Sequence, residues 1–389
     1  MIKTRAAFVC VLISVSAVAR AQSVTNILTF LLQNQSVQTG SPERDRAASQ
    51  ATADTISRAL LANLATLPVP TTSGAFSYRL NPELGTVERT TQNFGPFFVE
   101  RAQTAGRGQA SFGITFEHFR FTSLDGRNLR DGSFVTTANQ FTDEQSPFEV
   151  DRLTLNIDTS VATVYGNVGI TNRFEIGAAA PFVQLQLDGS RVDTYRGRDF
   201  TQASASARAV GLADVVVRGK YTLYSSDGDG VAAAVDVRLP TGHEEDLLGA
   251  GTSSVRLSGI GSIDRGSVAA HLNAGVTVGG LAREVSYSAA VEVSASPRAT
   301  LIGEVLGRTI DSPGHIVQVS ALNPAIAGVQ TIRLAPDTSM LNILTVVPGF
   351  KWNLSATWVL AANVTIPLTT GGLTAPVTPF VGLDYSLGR

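Results

Sequence analysis

From Val231 to Leu239 the odd positions are all apolar, while the even positions run Ala232, Ala234, Asp236, Arg238. A two-residue period places the two sets on opposite faces of a strand. The same alternation recurs through Val268–Val276, Trp358–Ile366 and Val377–Leu387. In Leu153–Val161 the apolar set likewise opposes Thr154, Asn156, Asp158 and Ser160. Twelve candidate strands follow from this rhythm: 109–121, 151–169, 174–187, 212–224, 231–240, 253–263, 267–279, 285–295, 299–309, 341–352, 356–368 and 376–387. Pro181 interrupts the third of them as a bulge would.

The connections alternate in length. Thr171–Arg173, Ser225–Gly230, Asp264–Gly266, Ser296–Arg298 and Asn353–Ser355 are tight, whereas 122–150, 188–211, 241–252 and 310–340 are long, with 280–284 and 369–375 between. An even number of strands with short turns at one end and long loops at the other is the arrangement of an outer-membrane barrel. The expected fold is therefore all-β, an antiparallel up-and-down transmembrane barrel of 12 strands over 109–389, or 14 if residues 75–91 add a hairpin. Residues 22–108 stand apart from the pattern. Ser41-Pro42-Glu43 reads as a helix start, and Ile56, Leu60, Leu64 and Leu67 continue at helical spacing until Pro68 and Pro70. This helical segment is either a periplasmic extension or a plug at the barrel mouth.

Composition narrows the compartment. Only 16% of the 389 residues are charged and 43% are hydrophobic, yet no run reaches the roughly 18 apolar residues of a spanning helix. Residues 1–21 read as a signal peptide: Lys3 and Arg5, an apolar stretch, then Ala19-Arg20-Ala21. The single cysteine, Cys10, falls inside it, so the mature chain is expected to hold no disulfide and no thiolate chemistry. Removing this segment takes away three of 30 basic residues and none of 32 acids, moving the net charge from −2 to −5. Nucleic acid is a poor partner for such a chain. The expected location is the outer membrane of a Gram-negative-type bacterium, with its lipids as a partner. A soluble secreted β protein is the competing reading.

Gly211-Leu-Ala-Asp214-Val-Val-Val-Arg218-Gly-Lys220-Tyr221, followed by Val237-Arg-Leu-Pro240-Thr-Gly242-His-Glu-Glu-Asp246-Leu-Leu-Gly249-Ala-Gly251, resembles the outer-membrane family named for the MetA pathway of phenol degradation. Phe94-Gly-Pro-Phe97, Glu100-Arg101 and Gly106-Arg-Gly108 look like the entry segment of related proteins. The resemblance implies a barrel akin to the long-chain fatty acid transporters and a small hydrophobic or aromatic solute. The C-terminal Phe380-Val-Gly382-Leu-Asp-Tyr385-Ser-Leu387 resembles the β-signal read by the barrel-assembly machinery, with Gly388 and Arg389 following where such chains usually stop.

Strand phase assigns Asp158, Asp214, Arg218, Lys220, Asp236, Arg238, Arg256, His271, Glu292, Glu304, Arg308 and Asp384 to the lumen. Mixed signs fit an interior ion-pair network. Arg218, Lys220, Arg238 and Arg256 alternatively form a constriction that attracts an anionic group. Glu244, Glu245 and Asp246 beside His243 are weak candidates for a divalent ion, and a solvated loop is the simpler account. No Gly-x-Ser-x-Gly, His-Glu-x-x-His or phosphate loop is present, so neither catalysis nor a cofactor is expected. The expected function is a channel for a small hydrophobic or aromatic molecule. The alternative is a structural or surface-interaction barrel with an occluded lumen.

Overall fold

The computed structural model describes residues 22–33, 41–71, 78–81, 86–89, 92–226, 228–311, 315–337, 339–355 and 357–387. The signal-peptide reading and Gly388–Arg389 fall outside them. Twelve of the described strands close a ring: β1 Ala110–Phe121, β2 Glu149–Gly169, β3 Phe174–Tyr195, β4 Val215–Ser226, β5 Asp229–Leu239, β6 Ser254–Asp264, β7 Val268–Gly279, β8 Glu284–Ser296, β9 Ala299–Ile310, β10 Leu341–Asn353, β11 Trp358–Pro367 and β12 Thr378–Leu387. Each pairs antiparallel with its sequence neighbours in the ring. β12 returns to β1 with Leu387 opposite Ala110 and Phe380 opposite Glu117. The segment at 78–81 pairs only with 86–89 as a separate hairpin, so it does not enlarge the barrel to 14 strands.

Three of the four long expected loops contain strands. The 188–211 stretch is the top of a long hairpin: β3 runs to Tyr195 and Arg198–Leu212 returns along it. The returning strand continues as β4 after a break at Ala213-Asp214. The 122–150 stretch carries Ser123–Leu124, Arg127–Asn128 and Phe134–Phe141, and 310–340 carries a hairpin of His315–Leu322 with Val329–Asp337. Pro181 does not break the phase of β3, which pairs with β2 without a register shift. The irregularity lies in the strand alongside, where Ala213 N–H donates to the Pro181 carbonyl at 2.8 Å. Proline offers that neighbour no N–H, so the break in pairing sits opposite it.

β2 and β3 run 21 and 22 residues, about twice what crosses a bilayer. Their upper halves leave the ring and build a lobe at the loop end. There β2 pairs with Phe134–Phe141, which pairs with Val329–Asp337, and β3 pairs with Arg198–Leu212. Two helices cover the inside of this lobe. α1, Val24–Leu32, is capped by Ser23, whose hydroxyl accepts the Asn26 N–H. α2, Pro42–Leu64, starts at the predicted Ser41-Pro42. Leu28, Leu31, Ile56 and Leu60 join Leu153, Leu155, Ile157, Leu185 and Leu187 in one buried core.

The faces of the strands therefore exchange character along their length. Near the turn end, β1 points Phe112, Ile114 and Phe116 outward and Ser111, Thr115 and Glu117 inward. Higher up, His118 and Arg120 are outward and Phe119 and Phe121 inward. β3 makes the same exchange between Phe182 and Gln184 on its outer face. The outward apolar residues form a belt around the ring, for example Val268, Leu272, Val276 and Val278 on β7. Ten residues of strand tilted by about 40° give a belt about 25 Å tall.

Candidate functional site: a lumen crossed by its own N-terminal segment

Below α2 the chain enters the barrel. Residues 93–108 run across the lumen at the turn end, where Asn93 Nδ2 donates to Gly266 O (3.2 Å) and Thr104 Oγ1 to Asn172 O (2.9 Å), both carbonyls belonging to the tight turns. A buried segment without sheet partners must satisfy its backbone groups with side chains. The barrel wall supplies them in sequence. Glu292 accepts the Gly95 N–H at 2.8 Å, Lys351 donates to Pro96 O at 2.9 Å, and Glu304 accepts from Phe97 and Phe98. Asn273 brackets Glu100, accepting its N–H at 2.7 Å and donating to its carbonyl at 2.9 Å. Ser262 accepts the Ala102 N–H at 2.8 Å, and Thr222 donates to the Ala102 carbonyl at 2.7 Å. Lys220 donates to Arg101 O and Gln103 O, and Glu175 accepts the Ala105 N–H. The plug is thus held by wall side chains that strand alternation turns inward.

Ion pairs join the same layer. Arg218 engages Glu100 of the plug and Asp236 of β5, and Arg256 reaches Asp236. Lys220 lies 2.8 Å from Glu175 and 3.4 Å from Glu100. His271 bridges Ser262 Oγ and Glu292 Oε1, each at 2.8 Å. That chain of hydroxyl, imidazole and carboxyl has the outline of a nucleophilic triad. Its Ser262 and Glu292 ends are occupied by the plug's Ala102 and Gly95 N–H groups, and none of the three lines the lumen cavity.

Above the plug is a cavity of about 260 Å³. Its floor and sides include Phe98 of the plug, Leu67 below α2, Phe119 and Phe121 of β1, and Ile343 of β10. Arg218, Arg238, Arg256 and Arg308 reach it from β4, β5, β6 and β9. Arg238 Nη1 donates to Ala65 O at 2.9 Å and Arg308 Nη1 to Thr66 O at 2.8 Å. These carbonyls lie at the C-terminal end of α2, where the helix dipole favours a cation.

The expected lumen charges separate into groups. Arg218, Asp236, Arg238, Arg256 and Arg308 line the cavity, while Lys220, His271, Glu292 and Glu304 hold the plug. Asp384, with Tyr165 and Lys351, lies on the wall below the cavity. Asp214 occupies the break before β4, where it accepts the Gly242 N–H at 3.1 Å and the Ala250 N–H at 2.8 Å. Thr241 Oγ1 donates to Ala213 O alongside. The two halves of the 211–251 motif are thus one structural joint. Asp158 does not face the lumen. It lies on the outer face of β2, opposite the buried Leu155 and Ile157, paired with Arg130 at 2.8 Å. The expected phase inverts here because the strand rises above the belt, where apolar side chains turn inward.

Glu244, Glu245 and Asp246 form a single helical turn that receives α1: Thr25 Oγ1 donates to Glu245 O at 2.9 Å. Among the described residues no group of three histidine or acidic side chains is placed to hold a metal ion. Glu117, Glu284 and Lys351 were missed. Glu117 and Lys351 continue the inward phase of β1 and β10, so the alternation itself was the available signal.

No family model matches this chain, and no curated protein matches it. The resemblance to the phenol-degradation family is therefore not supported by that comparison. Solved structures that resemble it are distant. The COG4313 outer membrane channel from Pseudomonas putida F1 superposes with a TM-score of 0.47 at 13% identity, covering 74% of this chain and 98% of that one. The KdgM porin in complex with disordered oligogalacturonate gives 0.35 at 9%, covering 62% and 99%. OprB of Pseudomonas putida gives 0.26 at 6%, covering 72% and 93%.

Proposed function

We propose that this chain is an outer-membrane channel for a small hydrophobic or aromatic solute, gated by its own residues 93–108. The observation that carries the reading is the roughly 260 Å³ lumen cavity roofed by α2 and floored by a plug that is held without a covalent bond. The closed ring leaves its outer face apolar, with Phe112 and Trp358 flanking Tyr385 at 5.0 and 4.7 Å near the turn end. Aromatic side chains at this height suit a bilayer interface. The turn end would face the periplasm and the lobe the exterior. Phe380, Gly382, Tyr385 and Leu387 of β12 would be the segment read by the assembly machinery.

The route runs from the lobe past Arg238 and Arg308, through the cavity, and out where the plug shifts. Displacing the plug exchanges its wall contacts for water, a change that a modest free-energy input can drive. The test uses the double variant A102C/S262C, at the point where the Ala102 N–H donates to Ser262 Oγ. In liposomes the oxidised barrel is expected to be closed to solutes and the reduced barrel to pass them. Equal flux in both states overturns plug gating. No flux in either state favours the alternative of a sealed surface-interaction barrel.

A further inference from the structure

The charged side chains lining the cavity do not pair off completely. Arg218 is met by Glu100 and Asp236, Arg256 by Asp236, and Arg308 by Glu284 at 3.7 Å. Arg238 and Glu117 remain. Among the described residues Arg238 has no carboxylate within ion-pair distance and donates only to the Ala65 carbonyl. Among the described residues Glu117 likewise has neither an ion-pair nor a hydrogen-bond partner, although its residue is only 4% exposed and lines the cavity. Strand register explains why no partner on its own sheet is near: its neighbours are Val161 on β2 and Phe380 on β12. An unpartnered carboxyl in such surroundings is costly. A site that presents a lone acceptor and a lone guanidinium to one cavity is built for a molecule that carries the complements of both.

We propose that the cavity binds a single-ring aromatic acid bearing a hydrogen-bond donor away from its carboxylate. The carboxylate lies on Arg238, whose guanidinium prefers it to the neutral Ala65 carbonyl. The donor, a hydroxyl or an ammonium, lies on Glu117. The ring lies against Phe98, Phe119 and Phe121, the apolar part of the lining. Selectivity then comes from the buried polar groups, because a ligand lacking either complement leaves one of them unpaired. This assignment rests on the reading of the lumen as a solute path and names the solute class for it.

Calorimetric titration of the full-length barrel in detergent tests it with 4-hydroxybenzoate, 4-(aminomethyl)benzoate, benzoate and phenol. Either doubly substituted acid is expected to bind at least about ten-fold tighter than benzoate or phenol, the loss produced by an unpaired buried partner. In Arg238→Gln the advantage of 4-hydroxybenzoate over phenol disappears. In Glu117→Leu its advantage over benzoate disappears. Equal affinities across the series in the unmodified protein overturn the proposal without recourse to any variant. Retention of the carboxylate preference in a folded R238Q barrel does so as well. Liposome flux separates the two claims: graded binding without flux keeps this site and removes the channel reading, whereas flux with ungraded binding keeps the channel and removes this site.

Discussion

His118 Nδ1 lies 3.0 Å from Ser160 Oγ, side by side on the outer faces of β1 and β2. One step toward the turn end, that same face is Phe116 beside Ala162, and one step away it is Arg120 beside Asp158. Continuing the row, Ser160 is opposite Gln184 on β3. The three polar residues trace the upper edge of the apolar belt. A tryptophan at position 116 (F116W) is expected to be quenched by brominated acyl chains, and one at position 120 (R120W) by aqueous iodide. Iodide quenching of both with equal efficiency would remove the boundary from this line.

Two aspartates of similar sequence setting should respond very differently to removal. Asp236 is buried between Arg218 and Arg256, whereas the Asp158 side chain is 37% exposed beside Arg130. Asp236→Ala leaves Arg256 without its carboxylate and strips one from Arg218. The expected loss is about 3–5 kcal/mol, as for a broken buried pair. Asp158→Ala is expected to cost about 0–1 kcal/mol. Urea unfolding in lipid vesicles, followed by the heat-modifiable gel shift, measures both. Equal losses would place the two residues in like environments.

These two residues also show how far the sequence could be read. In β5 the alternation alone put Asp236 inward and Val231, Ala233 and Val235 outward, as found, because that whole strand lies within the belt. In β2 the same rule failed at Asp158. Period two reports which residues share a face but not what that face meets, and a strand of 21 residues meets two different media. The strand at 198–212 and the hairpin at 315–337 lack the signature of a strand in the belt: the first sets Ser204, Ser206 and Arg208 against alanines, and the second mixes polar and apolar residues on both faces. The plug was harder still. Residues 93–108 have no periodicity, and their backbone partners come from eight different strands, a set that only the closed ring brings together.

Gly169 marks the point where the plug leaves the lumen. A Cβ there would stand 2.0 Å from the Gly106 carbonyl oxygen, while Gly108 N–H donates to Gly169 O at 2.8 Å. The obstacle is backbone, so the chain has to shift. Gly169→Ala is expected to keep the barrel, whose β1–β2 pairing is unaffected along most of its length. It should cost about 1–3 kcal/mol of overpacking at the plug exit. Single-channel recording is expected to show more frequent openings than in the unmodified protein. An unchanged opening frequency would mean that this end of the plug does not control passage.

Glu149 stands at the top of β2, in the lobe above the belt, and accepts from Asn139 Nδ2 at 2.8 Å. Burial, and after it the nearby Asp193 and Asp151 carboxylates, hold its pKa above the usual carboxylate value despite the Asn139 bond. The native carboxyl therefore keeps its proton to higher pH than the same group in the unfolded chain. Between those two pKa values the native state binds more protons, so this group makes the lobe less stable as pH rises through the window. Acidification restores what is lost. Amide exchange in Phe134–Phe141, the strand paired with β2 here, is expected to be slower near pH ~5 than near pH ~7 once intrinsic exchange rates are divided out. Glu149→Gln should slow exchange at the higher pH and flatten the difference. A pH dependence that survives E149Q unchanged would assign it to another group in the lobe.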